Sequence, residues 1–346
     1  MSNSALPMAD GESASGDELT ALLDRRLLFV TGKGGVGKTS IAAALATIGA
    51  RTGRSTLVCE MDAKGAIASA FDIGTLGFEP RAVDSGLFAM EMNTEDSLRE
   101  YLRLFVRIPL LGRIGPLART FDFVADAAPG VKEILAVGKI CYEVQQRNYD
   151  LVVVDAEASG HIVAQIGAPQ VIGELVQVGL VKDQTQWMLD ILHDEAVTGV
   201  VAVTTLEEMP VVETLQLIDR LATQTGIGVA AVIANRVLPP VFDTASETMF
   251  ERIRNSADAM AVLHGAAGPS SKTVLEAVGM LQARHLVGQG HRRRLLAGLQ
   301  AGGSPIEVHS VPELYTRATG RRVVNLIAED LAQALGDGTI PERPGR

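Results

Sequence analysis

Short apolar runs alternate with longer stretches of helical periodicity along most of the chain. LLFVT at Leu27–Thr31 ends in a glycine loop, and a helical pattern follows from Lys38 to Arg51. Further runs are STLVCE at Ser55–Glu60, LFAMEM at Leu87–Met92, DLVVVD at Asp150–Asp155, GVVAVTT at Gly199–Thr205, VAAVIAN at Val229–Asn235 and IEVHSV at Ile306–Val311. Continuous apolar runs of this length suit strands covered by helices on both faces. The alternation predicts an α/β fold with a doubly wound, mostly parallel sheet and right-handed crossovers.

One stretch breaks the rhythm. No strand pattern occurs between Thr94 and Arg147, where helical segments are interrupted at Pro109, Pro116 and Pro129. This predicts a helical insertion over 94–147, between the third and fourth strands. The polar segments at 1–20 and 337–346 read as a disordered and a loose tail around one domain over 21–336.

Composition narrows the partners. The formal net charge is −10, from 41 acidic and 31 basic residues, which disfavours nucleic acid as a ligand. HRRR at His291–Arg294 reads as a solvated helix face. The two cysteines, Cys59 and Cys141, form no C-x-x-C pair, so neither zinc nor an iron–sulfur cluster is expected, and a reducing cytoplasm suits the chain. The N-terminus lacks the basic start and apolar run of a leader, and no apolar run reaches 18 residues.

The chemistry concentrates at Gly32-Lys33-Gly34-Gly35-Val36-Gly37-Lys38-Thr39, followed by Ser40. This fits G-x-x-x-x-G-K-[ST], placed directly after a strand and before a helix, so it predicts ATP binding with Mg²⁺. Glycines let backbone N–H groups close around phosphate oxygens, and the helix N-terminus adds partial positive charge. Lys38 is expected to reach the β- and γ-phosphates, and the Thr39 hydroxyl to ligate Mg²⁺. Lys33 is not needed by that cradle. It adds a second cation that can act like an arginine finger. Asp62, after the second strand, can orient an attacking water, and Asp155, ending the fourth run, matches a Mg²⁺-side carboxylate.

Lys33 through Thr39 resembles the signature of the deviant Walker A ATPases. Within that group the chain is similar to the ArsA and tail-anchored-protein-targeting branch, and to the actinobacterial anion-transporting-ATPase-like proteins. Glu60-Met61-Asp62-Ala63-Lys64 resembles the branch's D-P-A-H switch I, and Asp155-Ala156-Glu157-Ala158-Ser159-Gly160-His161 its D-T-A-P-T-G-H switch II. Glu157 and Ala158 depart from that pattern. The resemblance implies a dimeric ATPase in which Lys33 reaches into the partner, either a second copy or a related subunit. It also implies that Asn235 binds the adenine edge and that the loop at Val311-Pro312-Glu313 packs on the base, with Pro312 in contact.

The resemblance further implies that ATP-driven opening and closing handles a hydrophobic client or a membrane partner. The insertion, with Leu98, Leu102, Leu104, Phe105, Val106, Ile108, Leu110, Leu111, Ile114, Phe121, Phe123 and Val124, would form one wall of a client groove, or pack as ordinary core. Trp187, Met188, Ile191 and Leu192 would form the other. Arg99, Arg103, Arg107, Arg113 and Arg119 could face an anionic partner. A soluble subunit energising an anion transporter and a positioning ATPase of the MinD/ParA kind remain alternatives.

Overall fold

The computed structural model of the chain describes residues 21–62, 64–101, 131–175, 179–268, 270–303 and 306–336. Both tails, residues 102–124 of the expected client wall and the arginines at 103, 107, 113 and 119 lie outside them.

Eight strands form one sheet in the order β3-β4-β2-β5-β1-β6-β7-β8. They are β1 (Leu27–Gly32), β2 (Thr56–Glu60), β3 (Arg81–Asp84), β4 (Leu87–Glu91), β5 (Leu151–Ala158), β6 (Thr198–Thr205), β7 (Val229–Val237) and β8 (Val308–Pro312). All pairs are parallel except β3 with β4. Every apolar run named above becomes a strand. β3 is an addition: a short, largely exposed polar edge strand with no apolar run to mark it. Another correction concerns β5, which continues past Asp155 to Ala158, so the start of the expected switch II loop is strand.

Helix α1 (Lys38–Arg51) follows β1 and is buried from Ile41 to Gly49. Its small side chains allow this close approach, since a Cβ on Gly49 would fall 2.7 Å from Leu151. The period-2 alternation of the strands feeds two cores. Leu28, Val30, Val58, Val153 and Val203 meet α1 and the C-terminal helix on one face. Leu27, Phe29, Leu57, Cys59, Val152 and Val154 fill the other, together with side chains of the helices that flank β5.

The remaining helices are α2 (Ala66–Ala70), α3 (Thr94–Tyr101), α4 (Val131–Gln145), α5 (Ile162–Leu175), α6 (Leu180–Leu192), α7 (Glu208–Thr225), α8 (Thr244–Arg254), α9 (Ala257–Ala267), α10 (Ser271–Ala301) and α11 (Gly320–Ala334). The described parts of the expected insertion, α3 and α4, are helical. Arg99 is spent on Glu95 and Asp96 of its own helix. Met188 and Leu192 of α6 are core residues, with Trp187 and Ile191 half-buried against them. The sequence reading missed a second helical interruption, α8 to α10, between β7 and β8.

Candidate functional site

β1 lies between β5 and β6, while the chain leaves it for β2 on the β5 side. That reversal opens a crevice at the C-terminal edge of the sheet, where ligands of such folds bind. The loop from Gly32 to Thr39 emerges there. Two glycines are dictated by space. A Cβ on Gly32 (φ 154°) would fall 2.1 Å from the Val203 carbonyl oxygen, and one on Gly37 (φ 94°) 2.3 Å from Asn235 Nδ2. Gly34 and Gly35 are exposed, while Val36 is buried and pins the loop to the sheet. Ser40 sits half-buried in the first turn of α1.

The loop is tied to the ends of β5 and β7. Ser159 N–H donates to the Gly32 carbonyl at 3.1 Å, and the Thr31 hydroxyl to the Glu157 carbonyl at 2.9 Å. Asn235 Nδ2 donates to the Val36 carbonyl at 2.8 Å. Arg236, at φ 55°, donates through Nη1 to the Gly35 carbonyl at 3.3 Å. Asn235 thus braces the phosphate loop itself. Pro312 closes β8 opposite Val237, and Glu313 N–H donates to the Val237 carbonyl at 3.0 Å. Beside these residues opens a cavity of about 850 Å³, lined among others by Arg236, Val237, His285, Glu313 and Tyr315.

Register brings the acidic groups together. Asp155 pairs with Val30 on one side and Glu60 on the other. The Thr39 hydroxyl donates to Asp155 Oδ2 at 2.6 Å, while Asp155 Oδ1 is buried with no protein hydrogen-bond partner. A buried, half-satisfied carboxylate beside a hydroxyl is a hard-oxygen pair suited to Mg²⁺, so these residues fit the ion. Burial pushes the Asp155 carboxyl up to about 6, against the lowering effect of the Thr39 hydroxyl. Burial also lowers the Lys38 ammonium below its ordinary value, opposed by Asp155. Lys38 Nζ lies 3.5 Å from the Lys33 carbonyl, bent over the loop.

Lys33 points elsewhere. Its Nζ lies 2.6 Å from Glu213 Oε1 on α7, with both side chains about a third exposed. Asp62 is exposed and ion-paired with Lys64. The sequence reading gave no role to Glu60 or Glu213. Glu60 is 2% exposed and accepts from the backbone N–H groups of Lys64, Ala66 and Ile67 at 2.9, 3.0 and 2.9 Å, so it fixes the segment carrying Asp62. A carboxylate ending an apolar strand was its only signal; Glu213, 180 residues from Lys33, had none.

A family model described as anion-transporting ATPase matches residues 25–182 and 174–261, more than half of the chain. The chain belongs to the anion-transporting ATPase family. Among the similar proteins, ATPase BagA of Mycobacterium tuberculosis is 34% identical over 225 residues, 62% of this chain and 66% of the relative. A putative arsenical pump-driving ATPase of Halobacterium salinarum is 27% identical over 263 residues, 70% of this chain and 40% of the relative. ATPase get3 of Neurospora crassa is 30% identical over 159 residues, 44% and 47% of the two chains. The chain therefore covers less than two thirds of these relatives' lengths.

In this member of the anion-transporting ATPase family, both segments likened above to switches depart from the branch pattern. Lys64 engages Asp62, as above. Glu157 accepts from Gln165 Nε2 at 2.7 Å and lies 2.7 Å from His161 Nδ1, which staples the end of β5 to α5. Arg220 Nη2 adds a bond of 3.2 Å to the Ser159 carbonyl. Glu157 is therefore committed to the framework that joins β5 to α5.

Proposed function

We propose that the chain is a cytoplasmic Mg²⁺-dependent ATPase that turns over as a two-fold dimer. The observation that carries this reading is the Thr39–Asp155 pair closed at the phosphate loop, with Asp62 two residues past the end of the adjoining strand. Backbone N–H groups from Gly34 to Thr39 and the Lys38 ammonium hold the phosphates, and Thr39 with Asp155 holds Mg²⁺. A bound Mg²⁺ would supply charge neutralisation for the phosphates. Asp62, freed from Lys64, orients the attacking water. Lys33 leaves Glu213 to meet the partner's phosphates, where a cation can stabilise transition-state charge. Asn235 and Pro312 flank the adenine.

In this reading the cycle of association and release does mechanical work on a hydrophobic client or a membrane partner. The name of the halobacterial relative supports the alternative of driving an anion pump. Carriage of arsenite on thiolates is disfavoured here. Cys59 and Cys141 are both fully buried, and burial pushes both thiols far up. Among the described residues no helix is long and apolar enough to cross a membrane.

Phosphate release by the purified chain tests the activity. Asp62→Asn should lose about 10²–10⁴-fold in kcat, with nucleotide affinity kept, and chelation of Mg²⁺ should abolish turnover. Full turnover by Asp62→Asn would remove the water-orienting role.

A further inference from the structure

Lys64 belongs neither to the phosphate loop nor to the D-P-A-H pattern, which has no lysine, yet the structure puts its charge at the nucleotide edge. Its root is rigid. The backbone N–H of Lys64 donates to Glu60 Oε1 at 2.9 Å, and those of Ala66 and Ile67, at the start of α2, donate to the same carboxylate at 3.0 and 2.9 Å. Between them Gly65 turns the chain at φ 70°. Glu60 is buried and stands opposite Asp155 in the β2–β5 register, and the next residue, Met61, donates its N–H to the Asp155 carbonyl at 3.1 Å. Lys64 is therefore fastened to the two strands that also carry the Thr39–Asp155 contact.

Its head is free. The Lys64 side chain is 71% exposed, and its ammonium ends on the Asp62 carboxylate, itself 47% exposed. That bond holds the ammonium above its ordinary range, with smaller support from Glu157 and Glu60. The charge also acts inward, since it helps to lower the Lys38 ammonium. Lys64 thus lies within electrostatic reach of the lysine that holds the phosphates in the reading above. Asp62 is the carboxylate given the attacking water there, so an ammonium bonded to it stands about one water away from the γ-phosphate. An exposed ion pair holds weakly. A terminal phosphate carries more negative charge and more acceptor oxygens than a carboxylate, and a lysine on its flexible stem can change partners without backbone movement.

We infer that Lys64 is a γ-phosphate-binding residue of its own chain, which covers Asp62 while no γ-phosphate is present and uncovers it by moving onto the phosphate oxygens. The inference rests on the ATPase reading above, in which Asp62 orients the attacking water. One ammonium then serves two states. With ADP or no nucleotide it neutralises the carboxylate, and no water is oriented. With ATP it holds the terminal phosphate, and the freed carboxylate meets the water. Lys64 keeps its protons throughout; it binds charge and transfers nothing. It differs from Lys33 in acting within one chain, so the γ-phosphate is recognised whether or not a partner is docked.

The experiment measures, by calorimetry in Mg²⁺, the binding of ADP and of a non-hydrolysable ATP analogue to the full chain and to its Lys64→Ala and Lys64→Arg variants. Lys64→Ala is expected to lose about tenfold in affinity for the analogue, the worth of one charge-assisted hydrogen bond, while binding ADP as tightly as wild type. Lys64→Arg is expected to recover most of that loss. The same loss is expected when Lys64→Ala is made in a Lys33→Ala chain, where no partner lysine contributes. An analogue-to-ADP preference equal in wild type and Lys64→Ala overturns the inference and leaves the ATPase reading intact, as does a loss shared equally by ADP. A loss that vanishes in the Lys33→Ala chain overturns the assignment of Lys64 to its own chain's site. A wild type that binds neither nucleotide overturns the ATPase reading and the inference with it.

Discussion

At the nucleotide edge polar groups are buried and mostly partnered, whereas on the α8–α10 segment large apolar groups stand in solvent. The first region is held by specific bonds reaching across the chain: Thr39 to Asp155, Asn235 to Val36, and Glu60 to three backbone N–H groups. The second joins the sheet through the buried base of α10, where Leu295 and Leu299 pack with Ala202, Val211 and Val232. α10 passes through both regimes, with Leu299 buried at its base and Leu286 53% exposed near the edge. A rigid edge suits charge placement, where small displacements are costly.

The largest expected effect lies at the edge. Lys33→Ala should lower kcat on the order of 10³-fold, with nucleotide affinity nearly unchanged, as read by steady-state turnover beside equilibrium binding. Retained turnover would reduce Lys33 to the surface ion pair it forms with Glu213. The two ends of α10 give the next contrast. Leu299→Ala should cost about 2–5 kcal/mol in denaturant unfolding through the cavity it leaves. Leu286→Ala should stay within about 0.5 kcal/mol. Equal costs would mean that this part of α10 is core rather than surface. The smallest effect belongs to Glu213→Gln. Releasing a pair that is about a third exposed is worth about 0.2–1 kcal/mol, so nucleotide-dependent dimerisation should tighten by a few-fold at most. Weaker dimerisation would show that Glu213 helps the dimer instead of holding Lys33 back.

Much of this contrast is unevenly written in the sequence. The phosphate loop was legible because its parts are contiguous and each has a steric or electrostatic reason. Asp62 and Asp155 were legible because they follow apolar runs. Beyond them, the continuation of β5 through Ala156, Glu157 and Ala158 was hidden by the polar glutamate. β3 was hidden because an exposed polar edge strand has no apolar pattern. Glu213 was invisible because its partner is 180 residues away. The apolar surface of α8–α10 was hidden for a different reason. Val262, Val274 and Met280 recur as core residues would, and only their exposure in the fold shows that nothing in the described chain covers them.

The central claim is that Lys33 acts across an interface. Mixing the Lys33→Ala and Asp62→Asn chains and measuring phosphate release tests it most directly. In a mixed dimer the Lys33→Ala chain keeps its own Asp62 and phosphate loop and receives Lys33 from its partner. The account predicts turnover well above the sum of the two variants measured alone. Turnover that stays at that sum at every mixing ratio, with exchange of subunits verified, would place Lys33 in its own chain's site and contradict the account.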